Sequence, residues 1–324
     1  MSMNSFIMGY DFVGTVISTT SPSESPTKLK LPPGTPVFGM TRPGHARPQH
    51  SGAHQAYLVA EDDFLLWKRP EDISELEAVR ITSAVLTAAD ALFNVLGFGF
   101  PPAGDGVPGR DPKGEAVLIW GGAGSVGWAA VQLAREAGFG TILTTASEGN
   151  LGKLRGAGAT HVFDYRKGEA VVEEIKGVLE REGVKLGVVF DAVGVGLGIF
   201  EPEGREKGRY EESSAALAKR CVDEGLLGRG EVKLCCVLPV LQDPDWVFTL
   251  YSRKHDGEQI REHPGWWQRQ EKVVDWVVEN YKAVWKELAV PRVVRDADEA
   301  VAAIRDVFEG KVGAEKVVIQ HPMK

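Results

Sequence analysis

AVLIWGGAGSVGWAAVQLAREAGFGTILTTASEGNLGKLRGAGATHVFDY, residues 116–165, decides the fold of this chain. An apolar run, Ala116–Trp120, ends in a glycine cluster that opens directly into a helical pattern. The cluster contains G-x-G-x-x-G as Gly122, Gly124 and Gly127. Between a strand and a helix such glycines have separate tasks: a tight turn, close backbone approach to a pyrophosphate, and close helix–strand packing. The free amides of the first helical turn, aided by the helix dipole, then favour a bound phosphate. Glycine-rich turns are common, so the motif alone is weak. With a strand before it and a helix after it, it predicts a dinucleotide site.

The next strand bears on which dinucleotide. A site for NAD places an acidic side chain near the end of that strand to hold the ribose hydroxyls. The run Thr141–Ala146 contains no Asp or Glu, and Glu148 arrives one or two residues late. The loop offers Ser147 and Asn150 as small donors, with Lys153 one turn into the following helix. Read alone, Lys153 is a solvated helix lysine. Together with the absent acid and the small donors, it favours the 2′-phosphate of NADPH.

Composition agrees with a globular enzyme. The chain has 324 residues, 43% apolar and 25% charged, which predicts two domains with a substantial core. No run approaches the ~18 apolar residues of a membrane span, and residues 1–20 carry no targeting pattern. Three cysteines (Cys221, Cys235, Cys236) form no disulfide framework, which fits a reducing cytoplasm. A net charge of −8 gives no electrostatic reason for nucleic acid or an anionic membrane as partner.

Residues 116–240 alternate strand and helix as in a doubly wound parallel sheet, with strands at 116–120, 141–146, 161–165, 186–194 and 232–240. Helices are expected at 169–181 and 213–224, a surface loop at 196–210 and a further strand within 245–252. Apolar residues at helical spacing predict an amphipathic helix over 266–288, its tryptophans read as packing. The end reads strand, helix (298–308), strand (315–320). Upstream, 10–18, 35–40 and 52–59 are short β-like runs, followed by a helical stretch over 75–96 with small residues on several faces and a Gly/Pro-rich linker at 101–113.

GYDFVGTV (9–16), GTPVFGM (34–40), GAHQAYLV (52–59), the glycine loop, LGKLRGAGATHVFDY (151–165) and GKVGAEKVVI (310–319) form an ordered series. The series resembles the medium-chain dehydrogenase/reductase superfamily, nearest its zinc-free branch and the fungal trans-acting enoyl reductases that serve polyketide synthases. The resemblance implies an α/β fold: a Rossmann doubly wound parallel sheet over 91–288, plus a GroES-like β domain from 1–90 and 289–324. The cleft would lie between them, with the C-terminal strand returning to the β domain. In that family about fifty residues of GroES-like fold precede the G-x-D-x-x-G-x-V segment, here at Gly9. The β domain is therefore expected to be incomplete, which bears on turnover.

Carried over motif by motif, the resemblance implies that Gly122, Gly124, Ser125, Val126 and Gly127 hold the pyrophosphate. Ser147, Asn150 and Lys153 would hold the 2′-phosphate, and Tyr165 would lie at the adenosine ribose. Val237, Leu238, Val312 and Gly313 would flank the nicotinamide, with Thr87 near substrate. From the residues alone, Tyr165 equally reads as a strand-end aromatic, and Val237 and Leu238 as buried strand.

No metal site is expected. No cysteine precedes Cys221, and Cys235 and Cys236 point to opposite faces of a strand. His45, His50 and His54 read as a surface loop. Nicotinamide chemistry without a Lewis acid predicts hydride transfer to an activated C=C bond: an enone, a quinone or a carrier-bound enoyl thioester. No proton donor is identified. The alternatives are an impaired NADPH-binding scaffold or sensor, and an alcohol dehydrogenase. A polyketide synthase partner and a monomer or homodimer complete the expectations.

Overall fold

The computed structural model describes residues 7–19, 31–41, 51–60, 65–199, 209–251 and 263–323. Strands β1 (Asp11–Thr15), β2 (Pro36–Met40) and β3 (Leu66–Lys68) form an antiparallel sheet in that order. Residues 52–59 form no strand. Two backbone bonds, Ala53 N to Gly9 O (3.1 Å) and His54 N to Met8 O (2.9 Å), tie this run to the chain beside β1. Gly52 lies against the Ile7 carbonyl, where a Cβ would come within 1.8 Å. His45 and His50 lie outside the described residues.

The helical stretch is interrupted. Helix α1 (Glu75–Ala78) opens on a Ser74/Glu77 capping box, and α2 (Thr82–Ala89) runs into a π-helical turn at Asp90–Val95. At that turn the buried Asp90 carboxylate accepts from Asn94 Nδ2 (2.8 Å), Thr249 Oγ1 (3.0 Å) and the Leu250 amide (2.9 Å). Glu75–Val95 has the length and hydropathy to cross a membrane, but 83% of its apolar window is buried inside the fold.

Six parallel strands follow: β4 (Ala116–Trp120), β5 (Thr141–Ala146), β6 (His161–Asp164), β7 (Val188–Asp191), β8 (Lys233–Cys236) and β9 (Trp246–Phe248). Their order in the sheet is β6-β5-β4-β7-β8-β9. The chain steps outward from β4 in one direction and then from β7 in the other. That reversal opens a crevice at the carboxyl ends of these two strands. Helices α3 (Ser125–Ala137), α4 (Leu151–Ala157), α5 (Glu169–Glu182) and α6 (Ser214–Lys219) make the crossovers.

The alternation of β4 explains the two cores. Val117 and Ile119 join the cluster that includes α2 and α3, whereas Ala116, Leu118 and Trp120 face the cluster that includes α5. Helix α7 (Trp266–Val284) buries Val273, Val274, Val277 and Tyr281 in the first cluster. The chain then forms β10 (Arg292–Val294), α8 (Ala297–Phe308) and β11 (Val317–Ile319), with β10 and β11 paired in parallel.

Arg269 on α7 fastens the π-helical turn to the loop behind it. Its guanidinium donates to the carbonyls of Phe93, Pro108 and Phe98, the last at 3.1 Å. Burial holds its pKa below the usual guanidinium value. Arg269→Met keeps the apolar stem but leaves three carbonyls short of a charged donor. A loss of about 2 kcal/mol is expected in chemical denaturation; an unchanged midpoint would refute the assignment.

Candidate active site

The glycine loop lies at the crevice. Gly121 has φ of +85°, and a Cβ there would meet Val193 Cγ1 at 2.5 Å, so the turn after β4 packs on the turn after β7. A Cβ on Gly122 would stand 2.2 Å from Thr144 Oγ1, and that hydroxyl is fixed on the Ile119 carbonyl at 2.7 Å. A Cβ on Gly127 would stand 2.3 Å from the Gly121 carbonyl oxygen. Gly124 differs. It is the N-cap of α3, makes no side-chain cap bond, and a Cβ there would reach only ordinary contact at 3.5 Å. Among the described residues the first amides of α3 thus receive no cap from the N-cap residue, an arrangement that suits a phosphate.

Two cavities meet at this helix start. One of 2340 Å³ is lined by β1, by residues 53–60, by β11, and by Ser83, Tyr251 and Ser125. The other, 220 Å³, is lined by Gly124, Ser125, Trp128, Arg80, Val312 and Lys316 among others. Ser125 and Lys316 border both. The wall near Ser83 is fixed by a charged side chain. Asp11 accepts from Lys316 Nζ (2.6 Å), Ser83 Oγ (2.7 Å), Thr82 Oγ1 (2.7 Å) and the Ser83 amide (3.1 Å). Burial alone would raise the Asp11 carboxyl, but the Lys316 ammonium and these hydrogen bonds outweigh it and hold it below the usual carboxylate range. Tyr10 and Tyr251 pack ring to ring across the same cleft, centroids 5.9 Å apart.

The turn after β7 is organised by Asp191. Its buried carboxylate accepts from the amides of Val193 and Gly194, each at 3.1 Å, and from Ser214 Oγ at 2.6 Å. Burial pushes its pKa up despite these bonds. Leu238 packs on this turn, since a Cβ on Gly194 would stand 2.8 Å from Leu238 Cδ1. Val237 and Leu238 are half-buried after β8, and Val312 shares the smaller cavity with Gly124 and Ser125, while Gly313 is exposed beside it. Thr87 is buried. Its hydroxyl donates to the Ser83 carbonyl at 2.7 Å, and it lines neither cavity.

At the outer end, Asn150 Nδ2 donates to Ser147 Oγ at 3.1 Å, Lys153 is exposed, and Tyr165 is 47% exposed at the start of a 3₁₀ turn. The sequence reading missed Arg166. It follows Tyr165 at the end of β6, with its guanidinium on Asp164 and 3.7 Å from Glu148. The signal lay in the pairing of parallel strands: Ala146 stands opposite Asp164, so the residues leaving the two strands are neighbours. The sequence reading also missed the partnership of Lys316 with Asp11.

Among the described residues no group of three or more His, Cys, Asp or Glu is placed to hold a metal. Cys235 belongs to one core cluster and Cys236 to the other, and burial pushes the Cys221 thiol up to about 12.

A family described as zinc-binding dehydrogenase matches residues 125–199. A dehydrogenase of Monascus ruber is 35% identical over 175 residues, covering 53% of this chain and 44% of the relative. A trans-enoyl reductase of Penicillium crustosum is 29% identical over 275 residues, 79% of this chain and 66% of the relative. The chain therefore spans about half to two thirds of the curated relatives it matches. An alcohol dehydrogenase superfamily protein from Novosphingobium aromaticivorans superposes with a TM-score of 0.63 at 18% identity, covering 97% of this chain and 82% of the other. A mycobacterial protein solved with NADPH superposes with a TM-score of 0.61 at 20% identity, covering 97% and 82%. These two likenesses concern the fold.

Proposed function

We propose that this chain, a member of the medium-chain dehydrogenase/reductase superfamily on its enoyl-reductase-like side, is an NADPH-dependent reductase of activated C=C bonds in secondary metabolism. One observation carries the reading. The start of α3, whose N-cap Gly124 makes no side-chain cap bond, opens at the switch point of the sheet into a cleft that Ser125 lines. The residues fit a dinucleotide: Gly124, Ser125, Val126 and Gly127 would hold the pyrophosphate, and Ser147, Asn150, Lys153 and Tyr165 the adenosine end. Val237, Leu238, Val312 and Gly313 would border the nicotinamide.

When bound, the nicotinamide supplies the hydride. The protein's part is to orient and to exclude water. The Tyr10–Tyr251 pair gives the cleft an apolar wall, while the ionic Asp11–Lys316 contact fixes one side of it. On this reading the hydride goes to an acceptor already activated by conjugation. A carrier-bound enoyl thioester from a polyketide synthase, an enone and a quinone share that chemistry. A trans-enoyl reductase relative supports the first. A cytoplasmic location, and a monomer or homodimer, belong to the same proposal.

The test is a fluorescence titration with NADPH and NADH, followed by turnover with a crotonyl thioester and a quinone. Tight NADPH binding and oxidation on one acceptor is expected. Binding without turnover on either would make the chain a nucleotide-binding scaffold, and absence of binding would refute the reading. Stoichiometric zinc in metal analysis would instead favour an alcohol dehydrogenase.

A further inference from the structure

We propose that Arg166 is the residue that distinguishes NADPH from NADH, and that Glu148 is its resting partner, displaced when the 2′-phosphate arrives. The inference rests on the NADPH reading above and deepens it.

Strands β5 and β6 are parallel neighbours in register, with Ala146 opposite Asp164. Ser147 and Glu148 therefore leave the sheet alongside Tyr165 and Arg166. This end of the sheet is where the adenosine of a dinucleotide bound at the glycine loop would reach. The guanidinium is aimed by Asp164: Arg166 Nε donates to Oδ1 at 2.9 Å and Nη2 to Oδ2 at 2.5 Å, and the Arg166 amide donates to Oδ1 at 3.0 Å. This bidentate grip fixes the plane of the fork and leaves Nη1 without a hydrogen bond among the described residues. Glu148 is held differently. Its Oε2 stands 3.7 Å from Arg166 Nη2, beyond hydrogen-bond range, on a side chain 83% exposed.

Arg166 thus has one carboxylate that orients it and one that is only nearby. A phosphate dianion competes well against the second, because a fork presenting parallel N–H groups matches its oxygens. Lys153 is less suited to the role. It is exposed on the first turn of α4, and no ion pair of its ammonium is seen among the described residues. Ordering its flexible chain costs more per bond formed. The Arg166–Asp164 bonds hold the Asp164 carboxyl down to about 2, so the orienting contact persists at all ordinary pH values.

The two residues predict opposite signs. Arg166→Ala should weaken NADPH binding about 10-fold or more while leaving NADH within about 2-fold, as loss of a charged hydrogen bond implies. Glu148→Gln should strengthen NADPH about 3-fold by removing a like charge from the phosphate's side, an effect that fades at high salt. Dissociation constants come from fluorescence titration of the full chain with NADPH, NADH and 2′,5′-ADP at two salt concentrations. Unchanged NADPH affinity in R166A would overturn the proposal. An equal fall for both nucleotides would also overturn it, since it would mark a structural role. A wild-type chain with no preference for NADPH would overturn the underlying reading as well; a preference that survives in R166A would overturn this assignment alone.

Discussion

Replacing Asp11 with alanine is expected to remove about 1–3 kcal/mol of stability, because it takes away the acceptor that Lys316, Ser83 and Thr82 share. The side chains of Asp11 and Lys316 are only 11% and 23% exposed, and their 2.6 Å contact joins β1 to the segment entering β11, 305 residues away in sequence. The same carboxylate holds Ser83 and Thr82 at the start of α2, so the substitution also leaves the Ser83 hydroxyl and amide short of their acceptor, while Thr82 keeps the Gly39 carbonyl at 3.3 Å. Lys316→Met removes the charge and the need for its partner, so D11A/K316M should be more stable than the sum of the single losses. A cycle that adds without coupling would mean that the contact is incidental.

The pH dependence has a definite sign. The folded pKa of Asp11 lies below its unfolded value, so its contribution is present above the unfolded value of about 3.9 and is lost as pH falls through the folded one. Acid titration of the wild type should show this loss below about pH 4, and the loss should be absent in D11A. Asp191 works in the opposite sense. Its folded pKa is raised, so the ionised form costs stability as pH rises through the carboxylate range. The two carboxylates, both in motifs legible in the sequence, thus separate by environment: the partly exposed one faces an ammonium, the fully buried one only amides, a hydroxyl and a thiol.

Legibility followed locality. The glycine loop, β4 and β5 were readable to the residue, because a strand, a turn and a helix in succession leave few alternatives. The break of residues 75–96 into two helices and a π-helical turn was not. Asp90, at the start of that turn, is held by Thr249 and Leu250 some 160 positions away, contacts no local pattern announces. Strand β3 was missed because three residues, Leu66–Lys68, carry too little alternation to count. The β-like texture of 52–59 misled, since alternation alone does not reveal that Gly52 is pressed against the Ile7 carbonyl rather than paired in a ladder. At the site, residue types at motif positions were visible, but Arg166 depends on which strands lie side by side, and Lys316 on how the segment before β11 packs against β1. Side chains brought together by tertiary packing have no spacing rule to announce them.

The second large effect separates the glycines of the loop by role. Gly127→Ala is expected to abolish measurable dinucleotide binding, a loss of at least 100-fold, and to cost about 1–3 kcal/mol as overpacking does. The added methyl would lie 2.3 Å from the Gly121 oxygen and 2.9 Å from both Gly121 C and Gly122 Cα. These are backbone atoms that β4 and the Val193 contact hold in place, so the loop must deform. Gly124→Ala asks a different question, because the only near atom is the Gly121 oxygen at 3.5 Å. Its φ of −76° and ψ of 160° suit any residue, so the fold should stay within about 1 kcal/mol of wild type. On the proposed role of the loop, that methyl would stand where the pyrophosphate meets the first amides of α3, and NADPH affinity should fall about 10-fold without loss of stability. Thermal melts and fluorescence titrations of the two variants read the two effects separately. A G124A chain that binds NADPH as wild type would place the phosphate elsewhere, while a G127A chain that still binds would show that the loop is only a turn.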